Sequence, residues 1–180
     1  MKKLKVVCLL LSLGYLSAQA QNLNTDKAAT SINFKIKNIG LTVQGSFSEF
    51  SVMAYFDEQN LSDSYFEGTA VVTSINTGIK LRDEHLQKEE YFHSAQFPAI
   101  KLTSTQLRKM GEGQYEFIGQ LWIKGKTKDL TFPITVERTD NNLLAKGNFE
   151  LNRLDFEVGK SSWVLKKKVR VALVYKGTFN

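Results

Sequence analysis

Leu130-Thr131-Phe132-Pro133-Ile134-Thr135-Val136-Glu137 alternates along its length, with Leu130, Phe132, Ile134 and Val136 falling on every second position. Successive side chains of a β-strand point to opposite faces, so this period of two turns the four apolar residues one way and the threonines and glutamate the other. An α-helix would scatter the same residues around its circumference. Pro133 sets a condition on this strand. It has no N–H to give to a ladder, so it belongs on an edge, at a bulge, or where the sheet is locally open.

The same pattern extends in both directions. Ile32-Asn33-Phe34-Lys35-Ile36-Lys37 repeats it, and Val169 to Lys176 does so less cleanly. Gly45 to Asp57, bent near Phe50, Phe66 to Ile75, Ala99 to Leu107, Tyr115 to Lys124 and Leu143 to Asn152 complete about eight strands. Met110-Gly111-Glu112-Gly113, Lys124-Gly125-Lys126 and Asp140-Asn141-Asn142 fall between them, and Gly, Asn and Asp tolerate the left-handed backbone of tight hairpins. Evenly spaced short strands joined in this way predict an all-β antiparallel barrel or sandwich. The one helical stretch, Arg82 to Glu90, is charged and free of β-branched residues, and it is expected to plug one end.

Small residues recur beside large ones on the apolar face: Phe66, Gly68 and Ala70; Phe117, Gly119 and Leu121; Ala145, Gly147 and Phe149. An eight-stranded barrel is just wide enough to be filled by side chains or to hold one small ligand. The glycines fit either unfilled volume or bends of the strands, so periodicity leaves open whether the interior is hollow. Parity places Phe34, Phe117, Leu121, Phe132, Ile134, Phe149 and Val171 inward, as candidate ligand-binding residues.

The amino terminus reads as an export signal. Lys2, Lys3 and Lys5 precede an apolar run from Val6 to Leu13, and Ala18-Gln19-Ala20 supplies a small-x-small cleavage site, so residues 1–20 are expected to leave and residues 21–180 to form a single domain. The run is shorter than the roughly 20 residues of a membrane span. Val6-Val7 before Cys8 is a poor lipobox, which argues against a lipid anchor. Cleavage removes the sole cysteine, so the mature chain has no disulfide, thiol nucleophile or thiolate metal site. The formal charge of +6 loses three lysines and no acid with the signal, leaving +3, too weak for nucleic acid. The expected location is the periplasm or the exterior.

Candidates for chemistry are sparse. His85 and His93 do not have zinc-site spacing, and Asp83, Glu84, Glu89 and Glu90 read as the solvated face of the helix, so no metal and no cofactor are expected. No Gly-x-Ser-x-Gly turn, no phosphate loop and no oriented base are present, and no catalytic residue is assigned. Lys166-Lys167-Lys168 after Trp163 admits contact with anionic headgroups, although a solvated loop is the plainer reading. Lys124, Lys126 and Lys128 around their turn read the same way.

The segment Ile75-Asn76-Thr77-Gly78-Ile79-Lys80-Leu81-Arg82-Asp83-Glu84-His85-Leu86 resembles the signature of the YceI-like family. Phe92, Phe97-Pro98, Leu102-Thr103-Ser104, the hairpin Gly119 to Lys128, Ser31 to Phe34, Gly45 to Phe47 and Asn152 to Phe156 are similar to that family in order along the chain. The resemblance implies an extended lipocalin-like barrel of eight antiparallel strands with a helical insertion. It also implies a polyisoprenoid or other long-chain amphiphile in the interior. Glu157 stands where the family commonly has glycine, which puts the local turn in question. Thr77, Gly78, Arg82, Asp83, His85 and Leu86 are read as structural, with Asp83 near a helix start and Arg82 bonded to neighbouring carbonyls or carboxylates. The expectation is a non-enzymatic carrier of a long apolar molecule, with transient membrane contact and a homodimer left open. The rivals are an envelope interaction module with a filled barrel and, third, a lipid-modifying enzyme.

Overall fold

The computed structural model describes residues 23–179. The expected signal segment lies outside the described residues. Eight long antiparallel strands form the wall: β2 Ser31–Asn38; β3 Leu41–Phe47 running on as β4 Phe50–Tyr55; β5 Tyr65–Val71 running on as β6 Ile75–Asn76; β7 Ala99–Gly111; β8 Gln114–Ile123; β9 Lys126–Thr139; β10 Asn142–Asn152; and β11 Leu165–Phe179. A short β1, Leu23–Thr25, pairs with the end of β11. Each long strand pairs with the next in sequence, and β11 returns to pair with β2.

Closure depends on two bends. β4 pairs with β5, whereas β3 pairs with β6. At the joint Ser48 N–H donates to Ser74 O (3.2 Å) and Val71 N–H donates to Glu49 O (2.9 Å), so the two bent strands stay bonded to each other through the turn. The expected break near Phe50 is at Ser48–Glu49. A single 3-10 turn, Val72–Ser74, interrupts the strand expected to run to Ile75, and the Ser74 hydroxyl donates to Val71 O (2.8 Å) and accepts from Glu49 N–H (3.0 Å).

The hairpin turns fall where Gly, Asn and Asp were noted. Lys124 and Gly125 both have positive φ (47° and 73°), the backbone of a tight two-residue turn, so β8 ends at Ile123 and not at Lys124. Alternation holds on β9, where Phe132, Ile134 and Val136 are buried and Pro133 is exposed. Pro133 occupies the third of its permitted settings. β9 pairs with β10 only from Thr139↔Asn142 to Ile134↔Gly147, and beyond that no described residue of β9 pairs with β10, so the wall is split from Pro133 upward.

The helix is shorter and earlier than expected. α1 spans Lys80–Leu86, and turns closed by Phe92 N–H to Leu86 O (3.0 Å) and Phe97 N–H to His93 O (2.8 Å) replace its second half. None of its residues is buried, so it lies over the barrel end as a partial cover, where a plug was expected.

The upper end carries the β2–β3 turn, α1 with its following turns, the β8–β9 turn and the 153–164 connection. The lower end carries the other connections and β1. Leu23, Phe56, Leu107, Tyr115, Val136, Leu143 and Tyr175 pack the lower half into a continuous apolar core.

Candidate functional site

The upper half is hollow. A cavity of about 450 Å³ runs from an aromatic floor to the upper end, where Asn38, Thr77, Arg82, His85 and Leu165 surround its mouth. Phe66 and Tyr175 meet edge to face at the floor (5.8 Å), beside a run in which Phe117, Phe132 and Phe149 follow one another at 4.7 Å. Ile36, Val43 and Val169 extend the wall upward. A cavity of this size falls within the range of small-molecule sites, roughly 300–1,000 Å³, and its wall is overwhelmingly hydrocarbon.

All seven residues assigned inward by parity, Phe34, Phe117, Leu121, Phe132, Ile134, Phe149 and Val171, lie on this wall. Spare volume does not account for most of the glycines here, and Gly119 lies opposite a register shift of β7. A Cβ at Gly147 would stand 2.7 Å from the Phe132 ring, one at Gly45 would stand 2.3 Å from the Phe34 ring, and one at Gly119 would stand 2.2 Å from Thr103 O. These glycines let rings and a neighbouring strand lie flat against the backbone. Gly68 differs. It lines the cavity and a Cβ there would meet nothing within 4 Å, so this position alone among the three noted columns contributes open space.

The mouth is built by two tied segments. Arg82 Nε donates to Thr77 Oγ1 (2.7 Å) and its Nη2 donates to Thr77 O (2.6 Å). Asp83 Oδ1 accepts from Thr77 N–H (2.9 Å) and from the Thr77 hydroxyl. Gly78, at φ 82°, makes the turn that brings Thr77 back onto the helix start. His85 packs edge to face on Tyr91 (5.1 Å) and Leu86 faces the cavity. Thr77, Arg82, His85 and Leu86 therefore shape the opening as well as the local fold.

Arg153, which the sequence brings up only within the family-like stretch Asn152 to Phe156 and with no role, organises this end. It is 4% exposed and donates from Nη1 to Val158 O (2.7 Å), from Nη2 to Lys160 O (2.8 Å) and Leu165 O (3.2 Å), and from Nε to Lys166 O (3.1 Å). Burial draws its pKa down, with Tyr91 opposing. Four carbonyls take up the buried guanidinium's donors and fix the connection over the barrel. Periodicity carries no signal for such a residue.

The turn questioned at Glu157 forms, with Glu157 held in the left-handed region at φ 55°. Its carboxylate pairs with Lys126 (2.9 Å), and that hydrogen bond holds its pKa below the ordinary value. Lys124 Nζ donates to both Glu157 O (2.8 Å) and Glu89 O (2.7 Å), tying two upper segments together. Among the described residues no cluster of three or more His, Cys, Asp or Glu is placed to hold a metal.

An antiparallel wall that curls back on itself, with one packed half and one hollow apolar half, defines a lipocalin-like barrel. Residues 23–176 match the model of the YceI-like domain, and the chain belongs to that family. Relatives include a UPF0312 protein of Yersinia enterocolitica, 31% identical over 81% of this chain and 72% of its own length. A UPF0312 protein of Photorhabdus laumondii is 36% identical over 54% of this chain, and the match spans half of that relative's length. Among solved structures, BcnA of Burkholderia cenocepacia superposes with a TM-score of 0.81 at 23% identity, over 85% of this chain and 99% of that one. A polyisoprenoid-binding domain from Saccharophagus degradans gives 0.68 at 14% identity, over 90% of this chain and all of that one. At these identities the structures establish the fold.

Proposed function

We propose that this protein is a lipid carrier, which holds the hydrocarbon tail of a polyisoprenoid, isoprenoid quinone or fatty-acid-like amphiphile in the upper half of its barrel. The observation that carries this reading is the cavity itself, whose wall is overwhelmingly hydrocarbon. Burial of a chain is favourable by about 0.8 kcal/mol per CH₂, so a long tail needs few polar contacts within. Phe34, Phe117, Leu121, Phe132, Ile134, Phe149 and Val171 would contact the tail, and Thr77, Arg82 and His85 stand where a head group would remain. The solved polyisoprenoid-binding domain of the same fold supports this ligand class.

The reading assigns the protein no catalytic step and no cofactor, and places it outside the cytoplasm after cleavage behind Ala20. Organic extraction of the purified protein followed by mass spectrometry tests it. A stoichiometric long-chain compound is the expected result, and repeated extraction of nothing would favour an interaction module acting through its surface. Sequencing of the mature amino terminus, expected to begin at Gln21, checks the export step.

A further inference from the structure

The sector of the wall formed by β11, β2 and β3 has an unusual charge distribution. From Lys27 to Ser48 the chain carries three lysines and no acid, and from Val158 to Phe179 five lysines and an arginine and no acid. Lys37, Lys160, Lys166 and Lys167 are exposed at the upper end of this sector, and none is ion-paired among the described residues. Three basic residues lower on β11 do have partners: Lys168 and Arg170 bond to Glu150, and Lys176 faces Asp26. Of the acids at the upper end, Asp83, Glu84, Glu89 and Glu90 belong to α1 and its following turns, Glu157 pairs with Lys126, and Asp155 accepts from Asn152.

Three large apolar side chains stand among those free cations. Trp163 is 88% exposed, Leu41 74% and Ile39 72%. The fold brings them together, because Ile39 N–H donates to Val164 O (3.0 Å) and Leu165 pairs with Asn38. The arrangement is held in place. Arg153 pins the carbonyls of Lys160, Leu165 and Lys166, and Ser162 Oγ accepts from Val164 and Leu165 N–H, which turns Trp163 outward. Leu165 faces Asn38 while Val169 faces Ile36, so four steps on β11 cover two on β2, and this bulge throws Lys166 and Lys167 to the outside.

Ile39 is also strained. It has φ 50° in a two-residue hairpin with Gly40, a position where glycine or asparagine is at ease and a β-branched residue is an outlier. Nothing in the packing of the barrel rewards isoleucine there, since its side chain lies in solvent. Backbone strain retained at an exposed apolar side chain points to a contact made outside the chain. The patch borders the mouth, for Asn38 and Leu165 line both.

We infer that this patch docks the barrel, mouth first, onto an anionic phospholipid bilayer. Trp163, Ile39 and Leu41 would enter the headgroup boundary, where tryptophan is favoured, and Lys37, Lys160, Lys166 and Lys167 would face the lipid phosphates. Basic residues near an anionic surface each add attraction, and small apolar insertions make the contact reversible. Ile79 and Leu81, exposed at the start of α1, add apolar surface at the same end of the barrel. The role of docking in loading the cavity rests on the carrier reading; the docking itself does not.

Flotation with vesicles of phosphatidylcholine, alone or mixed with phosphatidylglycerol, tests the inference. The protein should bind the mixed vesicles, bind phosphatidylcholine weakly, and release as salt rises. Lys166→Glu with Lys167→Glu should lower binding to mixed vesicles by about tenfold or more, and Ile39→Asn with Trp163→Ser should do the same while melting at or above the parent temperature. In a Trp122→Phe background Trp163 is the sole tryptophan, and its emission should shift to the blue on mixed vesicles. Failure to bind them, binding by both double variants as strong as the parent's, or an unshifted Trp163 would overturn the inference. So would concentration-dependent self-association that these variants abolish in the absence of vesicle binding. Vesicle binding by a protein that yields no extractable lipid would overturn the carrier reading and leave the docking intact.

Discussion

The lower and upper halves of this barrel are built from the same strands and have opposite interiors. Below, Tyr115, Val136, Leu143 and Tyr175 converge with Leu23 and Phe56 into a packed core in which Leu143 is fully buried. Above, Ile36, Val43 and Val169 are only partly buried and face a cavity. The two halves share one binary pattern, so alternation sets which face a residue takes and leaves open whether that face meets a neighbour. Residue size and the splay of the wall settle the second question, and the packed half supplies the stability that lets the other remain unfilled.

The largest test of this contrast compares two truncations. Leu143→Ala should cost about 3 kcal/mol or more in urea unfolding, because it opens a void in close packing. Val43→Ala should cost about 1 kcal/mol, since one side of Val43 already meets the cavity. Equal losses would mean that the upper half collapses in solution. Next in size is a pH effect confined to the packed half. Burial, with the nearby Glu58 carboxylate second, pushes the Tyr115 hydroxyl up to about 12. The folded protein therefore holds this proton more tightly than the unfolded chain, and stability present below about pH 10 should fall by roughly 2 kcal/mol as pH rises toward 12. Tyr115→Phe should shrink that loss in a melting series, with Tyr175, whose hydroxyl burial also pushes up, keeping the remainder.

Gly68→Leu sharpens the comparison from the hollow side. Its side chain would enter open space, so melting should change little while the yield of extractable lipid falls severalfold. Retained ligand together with unchanged melting would show that the tail does not reach this wall. The smallest expected effect is outside both halves. Glu157→Gly relieves a left-handed backbone and should raise the melting temperature by about 2 °C.

Sequence made the eight strands legible because each buries one face, and a period of two survives any bend. It also located the hairpins at Gly125 and Gly113, whose backbones require positive φ. The bends at Ser48–Glu49 and Val72–Ser74 were seen only in part, since they are fixed by bonds between distant strands. The length of α1 was overread because Lys88 to Glu90 have helical composition but close turns on their own. The inward residues could be read from parity. The mouth could not, because Thr77, Arg82 and His85 come together through a turn at Gly78, and Arg153 reaches its four carbonyls through a loop without period.

The split that begins at Pro133 bears on how broad an occupant the barrel tolerates. Between the upper stretches of β9 and β10 there are no ladder bonds to break, and Leu130, Phe149 and Leu151 bridge them by packing alone. Side-chain contacts yield gradually, whereas a hydrogen-bonded rung is lost outright. Along this stretch the two strands are held at their spacing by side chains, so a change of girth there would cost packing and no backbone hydrogen bond.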